Sequence, residues 1–336
     1  MTAAEIGALP LACVLLGASF LALWLDRYRL QPLPWLLGFA AWGVALPTGA
    51  RFLARMAGLP GPELVLREPT LGTIVEAGAI AALAVGAPLV VIGSTRVIES
   101  VVDGALFGLA GGVGLGVFLT LLPGAADEGA ALGAAVVASL ACAGAGATLG
   151  AGMGLGKLTL APRRRALGAL GALLASGLQV GAFAFAYASC HRAWRESGAA
   201  CDASLAVIAA LVLAAVLVGA AGIERRILAR QLGEEVELGV LPGWTVEILP
   251  SYLRRIRADW WPRRDERQEI VHLLTVLAFR KQQLLTLSAE RLRLYALEVG
   301  RLRQRAREVM AFAPVVQADP PADHETDEQA HHEATR

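Results

Sequence analysis

Charge is scarce in this chain. Asp, Glu, Lys and Arg make up 18% of its 336 residues, and 30 basic against 29 acidic side chains leave a net charge of +1. Soluble domains carry about 25% charge. With 56% hydrophobic residues and a mean hydropathy of +0.55, most of the chain has too much apolar material for disorder. The absence of a positive surplus argues against nucleic-acid binding. Four cysteines are too few for a disulfide-rich secreted scaffold. Histidine is scarce as well, and none of the five (His191, His272, His324, His331, His332) falls in a long apolar run. What is there in abundance is apolar sequence long enough to cross a membrane.

The scarcity is uneven. Residues 1–223 hold 12 basic and 11 acidic side chains, whereas the last 113 residues hold 18 of each. A charge-poor first part followed by a charge-dense one reads as an all-α polytopic helical membrane bundle (1–223), a cytoplasmic helical domain (224–312) and an acidic tail (313–336). The first boundary falls at Glu224-Arg225-Arg226.

A helix needs about 20 residues to cross about 30 Å of hydrocarbon. Seven stretches answer to that length: Ile6–Leu25, Leu33–Ala50, Leu71–Ile92, Val97–Leu122, Gly129–Gly156, Ala166–Ser189 and Ser204–Ile223. The second is short and carries Pro34 and Pro47. Glu5, with no basic residue ahead of the first stretch, argues against a cleavable signal. Loop charge sets the expected orientation, because Lys and Arg concentrate on the cytoplasmic side. Lys157 and Arg163-Arg164-Arg165 mark the fifth-to-sixth loop as cytoplasmic, and Arg225, Arg226 and Arg230 do the same for the tail. Seven spans then put the N-terminus outside, although Arg51, Arg55 and Arg67 would lie there too.

Cys13 and Cys142 fall inside spans and read as small apolar residues. Cys190 and Cys201 flank an outside loop, where three uses are open: a disulfide worth about 3 kcal/mol, two free thiols, or a metal held by Cys190-His191 and Cys201-Asp202. No residue pattern calls for a cofactor, and no metal is assigned.

Glycine recurs every four residues at Gly104, Gly108, Gly112 and Gly116, again at Gly146, Gly150 and Gly154, and at Gly177 and Gly181. Small residues at this spacing let helix backbones approach closely in lipid. The segment Gly150–Lys157 is not a phosphate loop. Ala151 stands where its first Gly is required and Leu158 where Ser or Thr is, and no strand precedes it.

Ionisable groups inside spans are functional candidates by default. Glu76 lies about one turn into the third span. Glu99 and Asp103 share a face near the start of the fourth, where hydration or pairing with Arg96 is the structural alternative. Gln179 is the one large uncharged polar group in the sixth span.

The segments Asp103-Gly104-Ala105-Leu106-Phe107-Gly108, Gly112-Val113-Gly114, Leu232–Leu241, Leu249-Pro250-Ser251-Tyr252 and Leu277-Ala278-Phe279-Arg280-Lys281 occur in this order. In them the chain resembles, over roughly residues 5–310, the PrsW family of bacterial glutamic-type intramembrane proteases, relatives of the CAAX-protease and bacteriocin-processing group. The resemblance implies a bacterial inner-membrane protein and gives Asp103, Gly104, Gly108 and Gly112 as signature positions. It gives Glu76 as the one retained catalytic acid. The second Glu of the family's paired motif falls on Ala77 and its basic residue on Ile80. The later Phe and Glu fall on Leu115 and Leu119, and a His falls on or near Gln179.

Water activation for peptide hydrolysis needs a general base and a group that polarises the carbonyl, and one carboxylate does not supply both. The expectation is therefore a catalytically degenerate homologue that binds membrane-protein partners. The alternatives are an active protease cleaving single-span membrane proteins such as anti-sigma factors and, more weakly, a small transporter using Glu76 and Asp103.

In the last third, Glu224–Gly239 predicts a helix continuing from the seventh span and ended by Gly239 and Pro242. Trp260, Trp261, Arg263 and Arg264 have the composition of a membrane-interface anchor, aromatic rings at headgroup level beside Arg on anionic lipid. A small helical domain with surface Arg is the other reading. Residues 265–310 predict a helical hairpin with an apolar seam, a coiled-coil dimer being its rival. The acidic end, with His324, His331 and His332, predicts a solvated tail.

Overall fold

The computed structural model describes residues 33–56, 85, 86, 89, 100–120, 128–158, 162–193, 198–251, 254, 264–285 and 289–311. Among them are eight helices: α1 Leu33–Met56, α2 Val101–Thr120, α3 Glu128–Lys157, α4 Pro162–Ala193, α5 Gly198–Glu237, α6 Trp244–Ile248, α7 Arg264–Leu284 and α8 Ala289–Ala311. No strand occurs among the described residues. Four helices are long and apolar enough to cross a membrane, within Val101–Phe118, Val136–Lys157, Arg163–Ala193 and Gly198–Glu237. These are the fourth to seventh expected stretches. The second corresponds to α1, which continues through Pro47 to Met56. Its apolar part, Trp35–Gly49, is shorter than a full crossing needs. The first stretch, and all of the third except Val85, Gly86 and Leu89, lie outside the described residues.

Helix α2 is the axis of the bundle, and every residue of its Val101–Phe118 stretch is buried. Glycine explains how. A Cβ added at Gly104, Gly108 or Gly112 would run into the backbone carbonyl of Gly150, Gly146 or Cys142, and one at Gly116 would meet the Cα of Ser139. The relation is reciprocal, since a Cβ at Gly146 or Gly150 would meet the carbonyls of Gly108 and Gly104. The two glycine rows read from the sequence are thus the two halves of one antiparallel contact, α2 on α3. Water does not drive helices together inside lipid, so close backbone packing supplies the attraction.

The opposite face of α2 takes α1, where Gly43 meets the carbonyl of Gly111 and Gly114 meets that of Ala40. Phe39 packs on Phe107 with ring centroids 5.1 Å apart, and Leu46 packs with Leu115 and Phe118. These pairs climb together, so α1 and α2 run in the same direction. Val85 and Leu89 share a buried cluster with Phe39 and Phe107.

Helix α4 lies at the periphery, on α3 and α5, and presents Leu167, Leu170, Leu174, Leu178 and Phe185 outward. That apolar face is what a lipid-facing helix shows. Helix α5 has 40 residues, about 60 Å at the usual helical rise and roughly twice the hydrocarbon thickness. Its apolar part, Ser204–Ile223, continues without a break into the charged Glu224–Glu237. It ends as the sequence predicts, at Gly239, whose φ of 66° suits glycine. The amide of Gly239 bonds the carbonyl of Val236, and that of Val240 bonds Glu235, the paired bonds of a Schellman cap.

Helices α7 and α8 form the expected antiparallel hairpin. Its ends are tied by Arg305 to Glu269 at 3.3 Å and Arg280 to Glu298 at 3.2 Å. The apolar seam, including Ile270, Leu274, Leu277, Val299 and Ala306, is covered by Leu228 and Leu232 of α5 and by Val240, Leu241 and Leu249. Each fully buried Leu of this kind contributes about 1.5–3 kcal/mol. The seam is therefore filled from within the chain.

Candidate functional site: the junction of bundle and tail

Beyond the apolar seam, four residues near the end of α7, Phe279, Lys281, Gln282 and Gln283, tie the tail hairpin to the long helices. Phe279 is buried with Val101, Val102, Ala105 and Leu106 of α2, with Leu158, and with Ala220 of α5. Lys281, itself 7% exposed, points its ammonium at three acceptors: Glu235 Oε1 at 2.6 Å, Glu234 Oε2 at 3.0 Å and the carbonyl of Gln231 at 2.9 Å. An ammonium has three protons to donate, and all three are met. Gln282 accepts from Gln231 Nε2 at 3.0 Å. Gln283 donates from Nε2 to the carbonyl of Lys157 at 2.8 Å. Lys157 ends α3, where the last carbonyls have no partner within the helix.

Glu235 is the centre of this junction. It is fully buried and takes a two-pronged interaction from Arg303 of α8, Nε at 2.8 Å and Nη2 at 2.7 Å, in addition to Lys281. Burial acts to raise its carboxyl. The hydrogen bonds from Arg303 and Lys281, together with their charges, outweigh burial and hold it below the ordinary value of 4.5. Three helices, α5, α7 and α8, are thereby tied at one carboxylate. Arg303 lay outside the sequence reading. The signal for it was the Glu234-Glu235 pair within an amphipathic helix, which demands cations from whatever packs on it.

Asp103, Gly104, Gly108 and Gly112 lie along α2, whose first turns pack on Phe279. Asp103 is buried, and its Oδ2 accepts the amide of Ser100 at 2.9 Å while Ser100 Oγ accepts the amide of Asp103 at 3.0 Å. This is a capping box, with Asp at the third helical position in place of Glu or Gln, closing the first turn of α2. Of the two structural alternatives for Asp103, burial speaks against hydration, and pairing with Arg96 falls on a residue outside the described ones. Gly104, Gly108 and Gly112 serve the α2–α3 contact described above.

Gln179 does not join them. Its Oε1 accepts from Thr148 Oγ1 at 3.0 Å, and its Nε2 rests over Gly144, where a Cβ would come within 2.7 Å. Gly144 and Thr148 face α4 whereas Gly146 and Gly150 face α2, so α3 stands between Gln179 and Asp103. That Nε2 is buried without a hydrogen-bond partner among the described residues.

At the opposite end of the bundle, Cys190 and Cys201 are joined as a disulfide between α4 and α5. Beside it His191 Nε2 lies 2.8 Å from Asp202 Oδ1, with the Tyr187 ring tilted against the imidazole, centroids 4.4 Å apart. Cys142 is free and buried, as a small apolar residue would be. Glu76, Glu99, Trp260, Trp261 and Arg263 lie outside the described residues, as does the side chain of Arg264, the first residue of α7. No family model, no curated protein and no solved structure matches the chain.

Proposed function

We propose that the chain is a PrsW-like inner-membrane protein of bacterial type that has lost proteolysis and binds membrane-embedded partners, relaying their presence to its cytoplasmic helices. The junction around Phe279, Lys281 and Gln283 carries this reading. It fixes the tail to α2, the helix that bears the signature, and to the end of α3, so a shift between those helices is felt by Glu235 and the hairpin. The use of Asp103 as a cap and of the signature glycines as contact points also favours a scaffold role. So does the sequence, which puts no histidine in any of the seven expected stretches and one motif acid, Glu76, where a pair is required.

The parallel course of α1 and α2 supports the seven-span topology, because it calls for one further crossing between them. Lys157 and Arg163-Arg164-Arg165 lie at the same end as Gln283 and the tail, which supports a cytoplasmic C-terminus by the distribution of positive charge. Lipids and single-span membrane proteins are the partners this arrangement suits.

The test is to co-express the full chain with single-span reporter proteins and compare wild type with Glu76→Gln. The proposal expects intact reporter with both. Cleavage by wild type that Glu76→Gln abolishes would establish an active protease and overturn it.

A further inference from the structure

Independently of that reading, the outer ends of α4 and α5 hold a second constellation that the disulfide only partly uses. The last turn of α4 ends in Cys190-His191 and the first turn of α5 contains Cys201-Asp202, so each helix offers one sulfur and one further ligand. The ligand atoms of His191, Cys201 and Asp202 all lie within 4.8 Å of one another. Cys190 Sγ is bonded to Cys201 Sγ, which places the fourth donor in the same cluster. The group is enclosed: Cys201 is 1% and Asp202 5% exposed, and His191 is half-buried. The third wall is α3, where Gly133 makes room for the Asp202 carboxylate. A Cβ there would collide with Oδ2 and come within 2.7 Å of Cγ.

We propose that the dithiol form of this chain binds a zinc ion through Cys190, His191, Cys201 and Asp202, and that the disulfide and the metal are mutually exclusive states of one site. The ligand chemistry selects the metal. Two thiolates with an imidazole favour zinc over magnesium or calcium, and four such donors suit its tetrahedral preference. Zinc bonds of about 2.0–2.3 Å put neighbouring tetrahedral ligands roughly 3.3–3.8 Å apart. His191 Nε2 and Asp202 Oδ1, now at 2.8 Å, need separate by well under 1 Å. The metal takes the place of the hydrogen between them, and the neutral imidazole then carries its hydrogen on Nδ1.

The balance is simple. A dithiol reductant converts Cys190–Cys201 to two thiols and ends as a disulfide itself. Zinc then displaces the two thiol protons. Oxidation of the sulfurs back to a disulfide, by a disulfide oxidant that is itself reduced to two thiols, removes the ligand pair and releases the ion.

The experiment uses the full chain in lipid nanodiscs, reduced with a phosphine without oxygen and titrated with zinc under chelator competition. Cobalt serves as the spectroscopic stand-in. The proposal expects one zinc per chain above that of a Cys190→Ser/Cys201→Ser variant, and a thiolate-to-cobalt charge-transfer band. His191→Ala and Asp202→Asn should each weaken zinc about tenfold or more, and the oxidised chain should bind no more than the double variant. His272, His324, His331 and His332 remain in every variant, so the differences report this site. Re-formation of the disulfide in air by His191→Ala and Asp202→Asn checks that the helix ends are still apposed. Binding no greater than that of the double variant, binding unaffected by both substitutions, or equal binding by the oxidised chain would each overturn the proposal and leave the cluster a staple between α4 and α5.

Discussion

The side-chain amide of Gln283 donates to the main-chain carbonyl of Lys157 at 2.8 Å, so a residue of the tail hairpin closes the end of a bundle helix. Two turns of packing lie around it. Phe279 reaches into the base of α2, and Lys281 meets the extension of α5. An apolar bundle and a charged hairpin that share a cap, a core residue and a carboxylate respond to load together.

Removal of Phe279 should loosen the hairpin most. Phe279→Ala leaves a cavity between α2 and α7 and should cost about 3–5 kcal/mol, whereas Gln283→Ala should cost about 1 kcal/mol. Limited proteolysis of the purified full chain checks this. The Phe279 variant should release the hairpin much faster than wild type, and the Gln283 variant only slightly faster.

The junction should be acid-sensitive. Glu235 is held below its ordinary carboxylate value, so its stabilising contribution is full above about pH 4.5 and is lost as pH falls through the lower folded value. Hydrogen exchange of α7 and α8 should accelerate below that range in wild type. Glu235→Gln should already exchange faster at neutral pH and show a flatter acid response, because Lys281 and Arg303 keep their charges without a carboxylate between them.

Glycines of identical local conformation should differ sharply in tolerance. Gly108→Ala drives a methyl into the carbonyl of Gly146, while Gly168→Ala meets nothing within 4 Å. The first should destabilise the bundle by a few kcal/mol, since overpacking against backbone cannot relax cheaply. The second should be neutral or stabilising by up to about 1 kcal/mol, through the helix propensity of alanine. Unfolding in mixed micelles, read by a probe on α2, ranks them.

Cysteine accessibility fixes the orientation. After reduction, the partly exposed Cys190 should react with a membrane-impermeant thiol reagent from outside intact spheroplasts. Labelling that requires lysis would reverse the assigned topology.

The helical class, the apolar stretches that became α1–α5, the stop at Gly239 and the hairpin were legible because each follows from local rules: length against hydrocarbon, left-handed φ at glycine, apolar period. The glycine rows were legible as contact surfaces, but which row meets which depends on antiparallel packing that no local pattern encodes. The role of Asp103 was obscured for a similar reason. An acid three residues after a serine reads equally as a cap or as an active-site group until its burial is seen. The Lys281–Glu235–Arg303 cluster joins residues 46 and 68 positions from Glu235, and His191–Asp202 joins two helix ends. Such pairings arise from tertiary packing and leave only weak marks in sequence, here Glu234-Glu235 and the matched Cys190-His191 and Cys201-Asp202 pairs.

The central claim is that this bundle holds a membrane helix without cutting it. The most direct measurement places a photo-crosslinking amino acid in α2 and in the reporter's single span, irradiates cells expressing both, and weighs the product. The account predicts a crosslink between the chain and full-length reporter, unchanged in yield by Glu76→Gln. A crosslink to a truncated reporter that regains full length in Glu76→Gln would contradict it.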